Sequence, residues 1–133
     1  MKILARAWRV LMVLWAGSLW SLLWVAAAVF HFQSDRHTAG LIAARLFSVE
    51  TYLGLAAAAL ALMLPNRGRF RLGLFAVALL ALNEWILKRV MSLAQAQGSA
   101  LGLSFGAWHG VSALLYVAAC IAVLVLVWKE DFR

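Results

Sequence analysis

Residues 106–128 read GAWHGVSALLYVAACIAVLVLVW, an apolar run in which His109 is the only side chain that can carry a charge near neutral pH. A helix of about 20 mostly apolar residues is long enough to cross the hydrocarbon core of a bilayer. The run therefore predicts a membrane-spanning helix. Three earlier runs of similar character, at about residues 7–30, 46–64 and 70–90, predict three further spans.

The composition also indicates a membrane protein of one domain. Hydrophobic residues make up 66% of the 133 residues, against about 45–50% in an average soluble domain. A chain of this length is expected to form one domain, and no segment shows the alternation typical of a membrane β-barrel. We therefore expect an all-α membrane protein in which residues 1–133 form one four-transmembrane-helix bundle. Short connections are expected at about residues 65–68 and 94–99. Residues 31–45 are the longest connection, and residues 38–45 are a candidate outward extension of the second helix.

The distribution of basic residues predicts the orientation of this bundle. Eight of them flank the first span, the connection after the second span and the end of the fourth span, whereas four lie on the opposite side. The first set is Lys2, Arg6, Arg9, Arg67, Arg69, Arg71, Lys129 and Arg133, and the second set is Arg36, Arg45, Lys88 and Arg89. Because cytoplasmic segments carry an excess of Lys and Arg, both termini are expected in the cytoplasm. The predicted location is a bacterial inner membrane, and nucleic acid is not an expected partner.

The N-terminal region has some features of a cleavable secretory signal. Basic residues precede an apolar run that ends near Ala26-Ala27-Ala28. That run is longer than the apolar region of an ordinary signal peptide, which has about 7–15 residues, and three more spans follow it. We therefore expect the first helix to be retained in the membrane.

Polar residues inside the predicted spans are the candidates for a functional site. They are Glu50, Asn83, Glu84, Lys88 and His109. Ionisable side chains are costly in a membrane, so they usually face the bundle interior or mark a functional site. At about 1.5 Å of rise per residue, the predicted orientation puts all of them in the outer half of the membrane. We therefore expect a single polar cluster there, with Ser112 beside it.

Helical spacing predicts which faces of the spans pack together. Glu50 shares a face with small residues at positions 54, 57, 58 and 61, and small residues let membrane helices approach closely. Positions 17, 21, 24 and 28 form a similar face on the first span, and positions 109, 113, 116 and 120 align on the fourth. We expect all three faces to point into the bundle.

The role of the polar cluster is open between three interpretations. In the first interpretation, the cluster is a structural network that orients the helices, with Glu84 and Lys88 at a favourable i,i+4 spacing. Alternatively, it is a site for an ion, a proton or a small polar ligand. The third interpretation is an aromatic pocket for a lipid, a quinone or a haem. Its candidate lining residues are Trp15, Trp20, Trp24, Trp108 and Tyr116.

Enzymatic activity and metal binding have little support. The chain has no Ser/His/Asp order, no glycine-rich phosphate loop and no metalloprotease motif, so we predict neither an enzyme nor a cofactor. The three histidines lack the spacing of a known metal site. The single Cys120 cannot form an internal disulfide and is expected to be a small buried residue.

Three short segments resemble a known family. They are Leu14-Trp15-Ala16-Gly17, Ala44-Arg45-Leu46-Phe47 and Phe105-Gly106-Ala107-Trp108-His109-Gly110-Val111-Ser112. Together they are similar to the transmembrane protein 205-like family, as is the Asn83-Glu84 pair. This resemblance implies a four-helix membrane fold and no settled activity, and it singles out His109 and Ser112. The chain departs from the family at Ala28 and Val29, where a proline is often present.

Two further function classes remain as alternatives. Alanine-rich helices with small-residue faces favour association with the lipid bilayer, with a second copy of the chain or with a larger membrane protein. The protein is then a membrane scaffold or an accessory subunit. The other alternative is a haem- or copper-handling membrane protein, although the first three predicted spans contain no histidine.

Overall fold

The computed structural model of the protein describes residues 2–63 and 70–131, with the side chains of residues 130 and 131 left out. All of its regular structure is helical over these residues, which confirms the predicted all-α class. The elements are α1 (Lys2–Phe32), α2 (Arg36–Leu62), α3 (Arg71–Leu82), a π-helical turn (Asn83–Leu87), α4 (Lys88–Gln97) and α5 (Phe105–Asp131). The predicted turn at residues 65–68 lies outside the described residues, as do Arg67, Arg69 and Arg133.

Within the part of the chain that the structure describes, three helices are long and apolar enough to cross a membrane: α1, α2 and residues Phe105–Lys129 of α5. The remaining predicted span, at about residues 70–90, is divided into helical pieces of 12, 5 and 10 residues. The backbone at both junctions, Asn83 and Lys88, stays in the right-handed helical region. Helical structure is therefore continuous from residue 71 to residue 97, with a π turn in the middle.

The second helix begins earlier than the predicted start of its span because Asp35 caps it. The Asp35 carboxylate accepts hydrogen bonds from the backbone N–H groups of His37, at 3.1 Å, and Thr38, at 3.2 Å. It also accepts one from the Thr38 hydroxyl. These bonds satisfy donors that the first turn of a helix leaves free. The hydrogen bonds from Thr38 and His37 lower the pKa of Asp35 below its ordinary value of 3.8.

The connection between α4 and α5 lies later in the chain than predicted, at residues 98–104. Residues 94–97 belong to α4, so the expectation that the connection starts at residue 94 is wrong. The helix ends at Gly98, whose φ of +82° is a left-handed conformation that glycine adopts readily. A tight turn follows at Leu101 and Gly102, which both have positive φ.

The helices pack as a closed ring of neighbours. Helix α1 contacts α2 and α5, and α3 lies between α2 and α5 on the other side. The core contains mainly aliphatic and alanine side chains, with aromatic residues at the end where α1 and α3 begin. There, Phe70 is buried with its ring 5.4 Å from that of Trp8 and 6.1 Å from that of Trp15. The polar residues of the predicted site lie further along the same bundle.

The predicted packing faces are partly wrong. On α2 the prediction is confirmed, because Glu50, Gly54, Ala58 and Ala61 are all buried. On α1 it is wrong, because the face of positions 17, 21, 24 and 28 is exposed, and Trp24 is 76% exposed. The buried stripe of α1 instead carries larger side chains: Met12, Trp15, Leu19 and Leu22. Of these two faces of α1, the face with larger side chains has more apolar surface to bury, and it is the one that packs against the core.

Candidate functional site

The buried carboxyl group of Glu50 lies where α2 packs against α1. Glu50 is 4% exposed, and its Oε2 lies 3.1 Å from the hydroxyl oxygen of Ser18. Ser18 is the one described residue whose side chain hydrogen-bonds this carboxyl group. No described Lys, Arg or His forms an ion pair with it, since the salt bridge of the described residues joins Lys88 and Glu84.

The hydroxyl of Ser18 has a second contact that limits what it can offer to Glu50. Its oxygen lies 2.8 Å from the backbone carbonyl oxygen of Trp15. A hydroxyl has one hydrogen to donate, and a carbonyl oxygen can only accept. If the hydrogen of Ser18 goes to Trp15, the hydrogen between Ser18 and Glu50 has to come from the carboxyl group itself.

A second group of polar side chains links α2 to the π turn and to α4. Lys88 Nζ lies 2.6 Å from Glu84 Oε2 and 2.6 Å from the hydroxyl oxygen of Ser48. Ser48 also lies within hydrogen-bond distance of both carboxylate oxygens of Glu84, at 2.9 and 3.0 Å. We call Ser48, Glu84 and Lys88 the ion-pair cluster.

The ion-pair cluster is saturated by its own contacts. A lysine ammonium has three N–H donors. Those of Lys88 are taken by Glu84, by Ser48 and by the carbonyl oxygen of Ala44, at 3.2 Å. The favourable i,i+4 pair expected from the sequence is therefore present, and its ammonium group has no free donor for a ligand.

The first residue of the π turn makes a separate contact with α5. Asn83 donates its side-chain N–H to the backbone carbonyl of Ser112 at 3.2 Å, and its carbonyl oxygen accepts from the Ser112 hydroxyl at 2.6 Å. Two consecutive residues of the π turn therefore hydrogen-bond to different helices: Asn83 bonds to α5 and Glu84 bonds to α2. A π turn alters the direction of successive side chains relative to an α-helix, and such turns are frequent at functional sites.

Two more interhelical hydrogen bonds complete the ring. The Tyr116 hydroxyl donates to the backbone carbonyl of Leu19 at 2.8 Å and so joins α5 to α1. The Thr51 hydroxyl lies 3.5 Å from the carbonyl of Leu80 and joins α2 to α3. When residues 71–97 are counted as one continuous helix, each pair of neighbouring helices in the ring is therefore connected by at least one polar contact.

The structure does not bring His109 into this group. Its side chain is exposed, and its ring stacks on that of Phe105 at 6.2 Å. The buried stripe of α5 passes through Tyr116, Ala119 and Val123. At about 100° per residue, His109 lies on the same side two turns before Tyr116, but near the start of the helix, where Phe105, Gly106 and Ala107 are also exposed. The prediction that His109 belongs to the buried polar cluster is therefore wrong.

The predicted aromatic lining is also dispersed. Trp24 is exposed, whereas Trp108 is partly buried and donates its indole N–H to the carbonyl of Ala100 at 2.8 Å. The indole N–H groups of Trp15 and Trp20 are buried and have no acceptor among the described residues. Tyr116 is buried against Phe47, with ring centres 4.7 Å apart. The expected single aromatic pocket is not assembled from these side chains.

Ser18 and Ser48 are site residues that the sequence interpretation missed. A serine within a membrane helix is easily overlooked, because its hydroxyl can bond the carbonyl three or four residues earlier, as both do here. The position of each serine along its predicted span could have identified it as a neighbour of the polar cluster. Ser48 lies two residues from Glu50 on the same span, and Ser18 lies near the middle of the first span.

Within the described residues, no group of three or more His, Cys, Asp and Glu side chains is arranged to hold a metal ion. Comparison of the chain with family models, with characterised proteins and with solved structures finds no match. The resemblance to the transmembrane protein 205-like family therefore stays a prediction.

Proposed function

We propose that this chain is a four-span protein of a bacterial inner membrane that binds and releases a proton at Glu50. The fourth span in this proposal is the continuous helical stretch of residues 71–97, and both termini are cytoplasmic. The distribution of basic residues supports that orientation. The length of the stretch supports the span, because helical residues rise about 1.5 Å each and about 20 of them suffice.

The contrast between the two glutamates carries the proposal. Glu84 is held as an anion by Lys88, whereas Glu50 is buried with a serine hydroxyl as its described partner. An ionised carboxylate without a cation is strongly disfavoured in a medium of low dielectric constant, and such a group binds a proton instead. The contacts of Ser18 fit this form, since a protonated carboxyl group can donate to Ser18 while Ser18 donates to the Trp15 carbonyl. Glu50 is therefore the proton-binding group, and the ion-pair cluster is architectural.

Infrared spectroscopy of the purified protein in lipid vesicles tests this directly. A neutral carboxyl group has a C=O stretching band that is distinct from the bands of a carboxylate and that shifts on exchange into D₂O. We expect this band in the wild-type protein, and we expect the Glu50→Gln variant to lack it. The matched control is Glu84→Gln, which retains the band because Glu84 is ionised at the start. A band that persists unchanged in Glu50→Gln overturns the proposal.

A titration measures the exchange that the proposal requires. Raising the pH outside the vesicles should convert the Glu50 band to a carboxylate signal in the wild type and should leave the Glu50→Gln spectrum unchanged. A band that persists at every pH tolerated by the fold indicates a permanently protonated structural group. That outcome also overturns proton binding as a function.

A second candidate is an accessory subunit or scaffold. The saturation of the ion-pair cluster favours it, because Glu84, Lys88 and Ser48 bond to one another and leave their donors occupied. Affinity purification from native membranes should then recover a second protein in stoichiometric amount. Recovery that is unchanged in Glu50→Gln, together with an absent proton signal, favours this candidate over proton binding.

A further inference from the structure

An exposed aromatic pair marks the outward side of the contact between α2 and the π turn. The rings of Tyr52 and Trp85 meet edge to face with their centres 6.5 Å apart. Both side chains are exposed, at 58% and 43%. Trp85 directly follows Glu84 of the ion-pair cluster in the π turn. The ring contact therefore joins exposed apolar side chains of α2 and of the π turn.

Two arginines continue this surface towards one end of the helices. Arg45 precedes Tyr52 by seven residues, so at about 100° per residue the two positions are within about 20° of each other on α2. Arg89 follows Trp85 by four residues and therefore lies one turn further along the same side. Both arginine side chains are exposed. We call Arg45, Tyr52, Trp85 and Arg89 the α2–α4 seam.

The two guanidinium groups carry the free positive charge of the seam. Lys88 lies between them, but its ammonium is neutralised by Glu84 and its donors are occupied. The other acidic side chains that the structure describes have partners elsewhere. Glu50 bonds to Ser18 inside the bundle, and Asp35 bonds to the first turn of α2. Over the described residues, the seam is therefore an apolar surface with two unneutralised cations at one end.

We propose that the α2–α4 seam binds an anionic phospholipid, with the phosphate on Arg45 and Arg89 and an acyl chain along Tyr52 and Trp85. The vertical spacing fits such a molecule, because the arginines lie about 10 Å and about 6 Å beyond the two rings at 1.5 Å per residue. Guanidinium groups bind phosphate in a bidentate manner. Tyr and Trp rings are enriched just below the headgroups. The site is independent of proton binding at Glu50.

Lipid binding can be measured on the purified protein in detergent micelles by native mass spectrometry, with phosphatidylglycerol and phosphatidylcholine as probes. We expect the wild type to bind phosphatidylglycerol more tightly. We expect Arg45→Ala/Arg89→Ala to weaken that binding by roughly tenfold or more, as loss of two charge-assisted contacts implies. The conservative Arg45→Lys/Arg89→Lys variant should fall between the two, since lysine retains charge without the bidentate geometry.

Two further variants and a competitor distinguish lipid binding at the seam from diffuse attraction and from binding of a free anion. The Arg6→Ala/Arg9→Ala variant removes the same charge from an exposed region of α1 and should bind phosphatidylglycerol like the wild type. If it loses binding equally, the attraction is diffuse and the proposal is wrong. Tyr52→Ala/Trp85→Ala should weaken lipid binding as well. If that variant is unaffected and inorganic phosphate competes fully with the lipid, the ligand is a free anion and the lipid assignment is overturned.

Discussion

The Glu84–Lys88 ion pair contacts α2 through Ser48, and its two charges neutralise each other. Replacing Lys88 by methionine keeps the length of the side chain but leaves the carboxylate of Glu84, which is 13% exposed, without its cation. We expect Lys88→Met to lower the free energy of unfolding by about 1–2 kcal/mol, measured by denaturant titration in micelles. The expected loss is moderate because the lysine itself is 33% exposed.

A double variant isolates the effect of the unpaired charge. Glu84→Gln in the Lys88→Met background removes the orphaned anion and should restore most of the lost stability. If the double variant is as unstable as Lys88→Met alone, the loss came from the packing of the lysine chain, and the ion pair contributes little.

Asp35 gives the start of α2 a dependence on pH. Its pKa is lowered in the folded protein by the hydrogen bonds from Thr38 and His37. The carboxylate form therefore stabilises the helix fully above the ordinary value of 3.8, and this contribution is lost as the pH falls through the lowered pKa. We expect Asp35→Ala to lower the thermal midpoint at pH 7. The difference from wild type should shrink as the pH falls below the ordinary value of 3.8 and through the lowered pKa.

Asp35→Asn is the informative control for that measurement. Asparagine caps helices about as well as aspartate but does not titrate. This variant should stay near the wild-type midpoint at pH 7 and should show no loss attributable to the cap at low pH. A midpoint for Asp35→Ala that equals that of the wild type at pH 7 would mean that the cap does not stabilise α2.

At the level of single residues, the sequence predicts part of the candidate site. The burial of Glu50 follows from its place on a face of small residues, and the Glu84–Lys88 contact follows from i,i+4 spacing. The contacts of Asn83 with α5 and of Ser18 with Glu50 depend on how helices rotate against one another. Helical periodicity alone does not contain that rotation. His109 illustrates a second limit: it lies on the same side of α5 as Tyr116 but so near the start of the helix that the other helices do not cover it.

Among the helices, two glycines give a matched test of which face of α1 and α2 packs. A Cβ atom on Gly54 would lie 3.3 Å from the Trp15 ring and 3.3 Å from Val77, whereas nothing lies within 4 Å of the corresponding position on Gly17. We expect Gly54→Leu to separate α2 from its neighbours and to destabilise the bundle by about 1–3 kcal/mol. Thermal unfolding in micelles measures the effect.

Gly17→Leu is the control for the size of the added side chain. It should leave the thermal midpoint near that of the wild type, because position 17 is on the exposed side of α1. The opposite result, with Gly17→Leu destabilised and Gly54→Leu tolerated, would support the face of positions 17, 21, 24 and 28 that the small-residue pattern predicted. That pattern failed on α1 because Met12, Trp15 and Leu19 have more apolar surface to bury.

The bounds of the helices were predicted better at the C-terminal end of the chain than in the middle. An apolar run of 23 residues defines α5 almost by itself. The division of residues 71–97 into α3, a π turn and α4 was not predicted, since hydrophobic periodicity does not distinguish one slightly wider turn. The start of α2 at Arg36 lies two residues before the candidate extension at residues 38–45, and the cap at Asp35 that sets this start was not predicted.

For the whole molecule, the proposed topology predicts which positions an impermeant reagent can reach. In a Cys120→Ser background, single cysteines at Ser34 and Ser99 should react with a membrane-impermeant maleimide in intact cells. Cysteines at Lys2 and Arg71 should react only after permeabilisation. All four positions are exposed, so accessibility reports the side of the membrane rather than burial. Reaction of Ser99→Cys and Arg71→Cys on the same side would show that residues 71–97 do not cross.

The π turn has a consequence for descent. Because a π turn holds about one residue more than an α-helical turn, it is equivalent to a single inserted residue in a helix of otherwise constant length. An ancestor or a sister sequence without that residue would have a regular helix here. It could then keep the contact of Asn83 with α5 or that of Lys88 with α2, but not both. Among homologues, a one-residue gap in the alignment between positions 83 and 87 should therefore coincide with the loss of one of the two contacts.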